Sequence, residues 1–531
     1  MYVTEKKTRE RKMKKLNKKN IAAAVLFAGG TYLFFTFRWL ANKYDKVSLD
    51  QILYQIKTTA SGTGSDVISS AFLEIGLYGT LSAAVGFVLW WLLSGKAKKL
   101  ALKTFYVRWK ETKACAFFAG RSVALALTVL AGALAAGVFW LHVPTYVGAQ
   151  SKDSDFIEEH YVDPNTVGLT FPQKKRNLIY IYLESMENTF ADPAAGGLII
   201  DNFIPELTAL AENNVNFSHT DGLGGAYSYA GTTWTAAAMV TQTSGLPVKV
   251  PLTADNYGGE DAYLPGAVSL GEILEKEGYR QVLLLGSDAG FAGRDSYFSE
   301  HGNYEIVDIN ALKAQGRLAE DYYEWWGYED VKLFHFAREE LLKLAQSGEP
   351  FNFTVLTADT HFPDGYHCPL CREEYDEPYP NVLRCSARQV ASFVEWIQLQ
   401  PFYENTTIVI SGDHLTMDPV LMETVDENYV RTVYNCVINA PKEPVQEKNR
   451  SFATFDMLPT TLSALGVSVE GDRMGLGTDL FSESKTLAEE YGFETLNEEL
   501  QKNSLFYNAQ FLQMEGDAEE WLLQQGCDAE E

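Results

Sequence analysis

The chain has 531 residues, 44 Lys/Arg against 70 Asp/Glu, and a formal net charge of −26. The imbalance is uneven, because residues 1–121 hold 21 Lys/Arg against 7 Asp/Glu and the remainder holds 23 against 63. So acidic a remainder excludes nucleic acid as a partner, since neutralising phosphates needs clustered cations, and the length leaves room for a membrane region plus one large domain.

Residues 1–143 read as a membrane anchor. Apolar stretches at 21–40, 67–94 and 122–143 each reach the about 20 residues a spanning helix needs. Nine Lys/Arg precede the first stretch and eight lie in 95–121, whereas 41–66 carries three. The positive-inside rule therefore puts the N-terminus and 95–121 in the cytoplasm, and an odd number of spans delivers everything after about residue 144 to the other side. The first stretch lacks a small-residue cleavage site and is followed by two more spans, unlike a cleaved signal peptide. Glu74 and several glycines interrupt the second.

Residues 144–175 read as a polar linker and 176–483 as a catalytic α/β domain. The runs NLIYIYLES, QVLLLGSDAG, FNFTVLTADTH, TTIVISGDH and VYNCVINAP alternate with helical stretches such as SLGEILEKEGY and ARQVASFVEWIQLQ. Continuous apolar strands separated by amphipathic helices predict a mainly parallel central sheet with helices on both faces. Residues 484–531 read as an acidic, helical, peripheral tail.

The first four runs end in chemically capable residues: Glu184; Asp288 and Arg294; Asp359 and His361; Asp413 and His414. In an open α/β sheet that carboxyl edge is where ligands bind. Glu184, Asp413 and His414 suit manganese, magnesium or zinc. Neighbours on a strand face opposite ways, so Asp413 and His414 share an ion only if the chain leaves the strand at Gly412. In GAYSYAGTTWTAAAMV, Thr235 falls near the start of an Ala-rich helix, where the helix dipole favours an alkoxide and an anion. A bound metal would lower the pKa of such a hydroxyl. Alternatively, Thr232, Thr233 and Thr235 read simply as helix caps. Arg294 offers a fork for phosphate oxygens, and His361 can hold a phosphate or protonate a leaving alkoxide; a surface ion pair or a buried imidazole accounts for each alone. The aromatic cluster 321–330 walls a sugar or lipid site or packs as core. Cys368, Cys371 and Cys385 fit a disulfide between two of them, which export favours, or a zinc site completed by His367. Cys436 reads as core, and Cys115 and Cys527 have no evident partner.

LESMENTF, the Gly-Thr-rich turn, FAGRD, WWGYED, DTHFPDGY and SGDH, in this order, resemble the sulfatase-like branch of the alkaline phosphatase superfamily. Within it they are most similar to the phosphoglycerol transferases, and more distantly to the lipoteichoic acid synthases. The likeness covers roughly residues 176–480. It implies metal ligands at Glu184, Asp413, His414 and a nucleophilic Thr235, with Thr233 in a similar local context. It further implies substrate binding at Arg294 and His361, with Asp288 and Asp359 in the same loops. The implied reaction moves phosphoglycerol from phosphatidylglycerol to an envelope glycan, a periplasmic glucan foremost, through a phosphoglycerol-threonine intermediate, at the extracytoplasmic face of a bacterial plasma membrane. The implied cofactor is a divalent ion, manganese ahead of magnesium or zinc. A glycerol-phosphate polymerase, a phosphoethanolamine transferase and a non-catalytic envelope scaffold are the alternatives. Cys or Ser would stand at the nucleophile turn of a sulfatase proper, and no Cys does here.

Overall fold

Five apolar runs between residues 177 and 438 become strands buried on both faces. In Asn177–Leu183, Leu178, Tyr180 and Tyr182 enter one hydrophobic core, and Ile179, Ile181 and Leu183 enter another. A two-residue side-chain period with both faces covered requires such an unbroken apolar run. The computed structural model describes residues 2–43, 49–58, 65–93, 122–251, 257, 262–423, 425–426 and 428–524. The basic loop 95–121, Cys115 and Cys527 lie outside the described residues.

The strands used below are β1 (Leu169–Thr170), β2 (Asn177–Leu183), β3 (Gly225–Ala226), β4 (Arg280–Leu285), β5 (Glu305–Val307), β6 (Phe351–Leu356), β7 (Thr406–Gly412), β8 (Val433–Ile438) and β9 (Ser468–Val469). Seven of them form one sheet in the order β3-β8-β7-β2-β6-β4-β5. β7, β2, β6, β4 and β5 are parallel, β8 is antiparallel to β7, and β3 is antiparallel to β8. The mainly parallel sheet is as expected. VYNCVI departs from it and runs antiparallel to β7; among the described residues, the connection 413–432 holds only the four-residue helix Pro419–Met422 and not the longer helix by which a parallel crossover usually returns. Helices Thr235–Ser244 and Met457–Ala464 pack into the first core, and Asp330–Ser347 and Pro378–Gln398 into the second.

The chain divides into two compact units, residues 1–48 with 65–145, and 49–64 with 146–531. In the first, three helices are long and apolar enough to cross a membrane: Ile21–Asn42, Ile68–Leu89 and Val123–Trp140. The second passes through a π-helical turn, Phe72–Tyr78, that holds Glu74. A Cβ on Gly30 would lie 2.8 Å from Leu130 Cα, the close approach that small residues permit between helices.

Two boundaries differ from expectation. Residues 144–175 are folded rather than a free linker. Val143–Gln150 and Phe156–His160 are helical, β1 pairs with β9, and Phe156 and Ile157 are buried. The acidic C-terminal segment is packed too. Leu487, Leu496, Leu500, Tyr507 and Leu512 join the first core, while Lys249 Nζ donates to the carbonyls of Leu500 (2.7 Å) and Lys502 (2.6 Å). In both segments an apolar stripe sits under a polar exterior, and average polarity hides it.

A third difference concerns residues 41–66. The helix Leu49–Lys57 belongs to the second unit and sends Tyr54, 1% exposed, into its core. The Tyr54 hydroxyl donates to the Ala292 carbonyl (2.7 Å) and shares a hydrogen bond with Tyr263 (2.6 Å). Its ring lies 5.2 Å from that of Trp234.

Two outcomes follow for the full chain in detergent. Tyr54→Phe should lose about 1 kcal/mol of unfolding free energy and Tyr54→Ala about 3–5 kcal/mol, read by denaturant unfolding. Equal midpoints for all three would refute the buried placement. Burial pushes Lys249 down from 10.5 to about 8, with Asp50 opposing. Between those values the unfolded chain binds a proton that the folded chain does not, so this group makes stability rise with pH from about 8 to 10.5. Subtracting the pH profile of Lys249→Met from that of the parent should leave that rise.

Candidate active site

Four strand ends meet because their strands are neighbours in register. Leu183 pairs with Gly412, Tyr182 with Leu356, and Leu285 with Leu356. The residues beyond these pairs leave the sheet side by side: Asp413 and His414 from β7, Glu184 from β2, Asp359 and His361 from β6, Asp288 and Arg294 from β4.

The turns at this edge are tight. A Cβ on Gly412 would collide with the Met186 carbonyl, so only glycine lets β7 end against the 184–186 turn. Ser185 there holds φ 53, a left-handed conformation that costs a non-glycine residue energy. Its N–H donates to Asp413 Oδ1 (2.7 Å) and its hydroxyl to Glu184 Oε1 (2.8 Å). The His414 N–H also donates to Asp413 Oδ1 (2.7 Å). Asp413 Oδ2 is buried with no hydrogen-bond partner.

That unsatisfied oxygen faces other acceptors. His414 Nε2 lies 3.5 Å from Asp413 Oδ2 and 3.5 Å from Glu184 Oε1. Its Nδ1 is 2.9 Å from the Leu415 carbonyl, to which it must donate, so that in the neutral ring it is the Nε2 lone pair that faces the carboxylates. One ligand atom from each of Glu184, Asp413 and His414 lies within 4.8 Å of the others. Converging buried acceptors, with Asp413 Oδ2 left without a donor, fit a divalent cation held by oxygen and nitrogen. Burial and the neighbouring Glu184 push Asp413 up to about 8. Burial also raises Glu184, but His361 and His414 outweigh it and bring its carboxyl below the usual range.

Thr235 completes the group. It is the first residue of the helix Thr235–Ser244, after Trp234 in extended conformation. Its Oγ1 is 3.2 Å from Glu184 Oε2 and 3.3 Å from His414 Nε2. Thr232 instead closes a turn with the Tyr229 backbone, donating to the carbonyl (2.9 Å) and accepting from the N–H (3.0 Å). Of the three threonines, Thr235 is the one whose hydroxyl reaches Glu184 and His414.

Arg294 is 6% exposed. Ala292 (φ 58) and Gly293 (φ 69) are both left-handed and swing it to the start of the helix Arg294–Glu300. Its guanidinium donates to Phe291 O (3.0 Å), Ser287 Oγ (3.0 Å) and Asp288 O (2.7 Å). Burial lowers its pKa, and Glu184 is the largest opposing charge. His361 Nδ1 donates to Phe362 O (2.7 Å), and its ring lies 4.5 Å from that of Trp326. The cluster 321–330 thus walls His361 as well as packing. Nε1 of Trp325 and of Trp326 is buried without a hydrogen-bond partner.

Asp288 and Asp359, expected as substrate contacts, are engaged by backbone. Asp288 accepts from Gly290 N (2.9 Å). Asp359 accepts from Asp330 N (3.0 Å), while Asp330 accepts from Ala358 N (2.8 Å) and Asp359 N (3.2 Å), tying the end of β6 to the helix Asp330–Ser347. Glu187 escaped the sequence reading. It is fully buried, takes a forked ion pair from Arg431 (3.0 and 2.6 Å) and accepts from Thr416 N (3.0 Å). Its only signal was a second acid in LESMEN. In the cysteine cluster no pair is bonded. Cys368 Sγ lies 3.7 Å from Cys385 Sγ and 3.7 Å from Cys371 Sγ.

Residues 176–467 match the Sulfatase family, more than half of the chain. Phosphoglycerol transferase I of Escherichia coli O127:H6 is 29% identical over 472 residues, 87% of this chain and 56% of that protein, so the chain spans little more than half the length of this relative. Among solved structures, a Vibrio parahaemolyticus protein in the alkaline phosphatase superfamily is 19% identical, covering 63% of this chain and 79% of that one with a TM-score of 0.48. The lipoteichoic acid synthase LtaP from Listeria monocytogenes is 18% identical, covering 62% and 80% with a TM-score of 0.46. With its sheet, its strand-end residues and this match over most of the second unit, the chain is a member of the sulfatase family.

Proposed function

We propose that the chain is a metal-dependent phosphoglycerol transferase of a bacterial plasma membrane, with its catalytic domain on the extracytoplasmic side. The donor is phosphatidylglycerol, and the acceptor is an envelope glycan, a periplasmic glucan foremost. The observation that carries this reading is the Thr235 hydroxyl, 3.2 Å from Glu184 and 3.3 Å from His414 at a helix start. The likeness to phosphoglycerol transferase I and the three apolar helices support it.

Glu184, Asp413, His414 and Thr235 would hold a divalent cation, manganese or a close substitute, which when bound lowers the hydroxyl pKa and neutralises phosphoryl oxygens. Thr235 Oγ1 attacks the phosphodiester phosphorus. A threonine–phosphorus bond forms, the bond to the diacylglycerol oxygen breaks, and diacylglycerol leaves with a proton. His361, with Nδ1 committed to Phe362 O, presents Nε2 to protonate that oxygen or hold the phosphate. Arg294 and the free indole N–H groups of Trp325 and Trp326 stabilise the charged oxygens. An acceptor hydroxyl then attacks the same phosphorus, gives up its proton and frees Thr235.

Purified protein given manganese and labelled phosphatidylglycerol should release diacylglycerol, with phosphoglycerol on added glucan read by mass. Consumption of phosphatidylethanolamine alone would replace this reading with phosphoethanolamine transfer, and a glycerol-phosphate ladder would make the chain a polymerase. Thr235→Ala should lower kcat by about 10³-fold or more with an unchanged circular dichroism spectrum. If Thr233→Ala does so instead, the nucleophile is misassigned. Manganese added to protein lacking it should raise both turnover and Tm, and Glu184→Gln should remove the Tm response to manganese.

A further inference from the structure

The three cysteines of the 368–385 region remain outside this mechanism. CPLC closes a turn in which Cys371 N donates to Cys368 O (2.9 Å), leaving the two sulfurs 3.7 Å apart. Cys385 comes from the second turn of the helix Pro378–Gln398 and brings a third sulfur 3.7 Å from that of Cys368. All three sulfurs lie within 4.8 Å of one another. A disulfide needs about 2.05 Å. Tetrahedral zinc with sulfur at about 2.3 Å spaces its sulfurs about 3.8 Å apart. The separations are those of ligands around an ion, and two of the three residues are buried, Cys368 at 1% and Cys385 at 2% exposure. The Gln389 amide donates to Cys385 Sγ (3.5 Å) and Cys368 Sγ (3.8 Å), a partner suited to thiolates.

We propose that Cys368, Cys371 and Cys385 bind a structural zinc ion, separate from the catalytic metal. Three thiols release three protons to solvent as three sulfur–zinc bonds form. The net −1 centre is offset by Arg388, whose charge acts on Cys385. His367 is exposed, and among the described residues no other His, Cys, Asp or Glu atom joins the three sulfurs within 4.8 Å. Solvent therefore takes the fourth vertex. The ion pins the loop that starts at His361 to the helix Pro378–Gln398. Soft thiolates choose zinc, whereas the oxygen-rich catalytic set takes manganese or magnesium, so the two sites are chemically distinct.

The test uses the full chain, purified in detergent without reductant and with the catalytic ligands removed by Glu184→Gln plus His414→Ala. One zinc per chain should remain by elemental analysis. An organomercurial should release it to a chromogenic chelator as three thiols titrate. Cys368→Ser, Cys371→Ser and Cys385→Ser together should lose it. An unchanged zinc content in that triple variant, or a disulfide within the trio in freshly isolated protein, overturns the proposal. Should the triple variant fail to fold, cobalt-loaded protein with the three cysteines intact decides. Sulfur-to-cobalt charge-transfer bands support the site, and their absence overturns it.

Discussion

Two buried carboxyl groups and an imidazole lone pair, gathered within 4.8 Å, form a cluster of acceptors that is costly without a cation. The surrounding structure is arranged to hold that cluster. The left-handed Ser185 supplies two donors to it. The Thr360 hydroxyl holds the Glu184 carbonyl (2.6 Å). The Glu187–Arg431 pair, tied to the Thr416 backbone, braces the segment after His414 against the segment after Glu184. Strain and buried charge concentrate here because the rest of the sheet is apolar and can bear them.

The same edge is braced by a segment far away in sequence. The Leu49–Lys57 helix places Tyr54 against Trp234, the residue before Thr235, and against the carbonyl of Ala292, two residues before Arg294. One ring therefore touches the supports of both Thr235 and Arg294. Flanked by two apolar stretches, the segment reads in isolation as a short loop. Its role comes from packing on a domain that begins about a hundred residues later.

Legibility tracked the range of the interactions. The central strands were readable because burial on both faces forces unbroken apolar runs, and NLIYIYL or TTIVISG admits little else. The direction of VYNCVI was not readable, since direction is set by the connection and not by the strand. Glu184, Asp413 and His414 were readable as strand-end polar residues of ligating type. Asp288 and Asp359 carried the same mark, and each also accepts from a backbone N–H, a use that a single sequence does not separate from ligand binding because both need the same carboxylate. The acidic C-terminal segment is helical as its pattern predicts, but its packing and that of 144–175 are not readable, because their apolar residues are spaced so that only a folded stripe collects them.

What this sequence determined by itself is local chemistry: three apolar stretches, a charge asymmetry around them, a both-faces-buried sheet, and the residue types at its carboxyl edge. Only the tertiary structure decided which threonine meets the carboxylates, which acids accept from backbone, and that three sulfurs gather without bonding. Those outcomes depend on distances of a few ångströms between segments as far apart in sequence as Ser185 and Asp413, which are 228 residues apart. Strand register fixes such distances, as where Leu183 meets Gly412, and register is a property of the assembled sheet, not of any one strand.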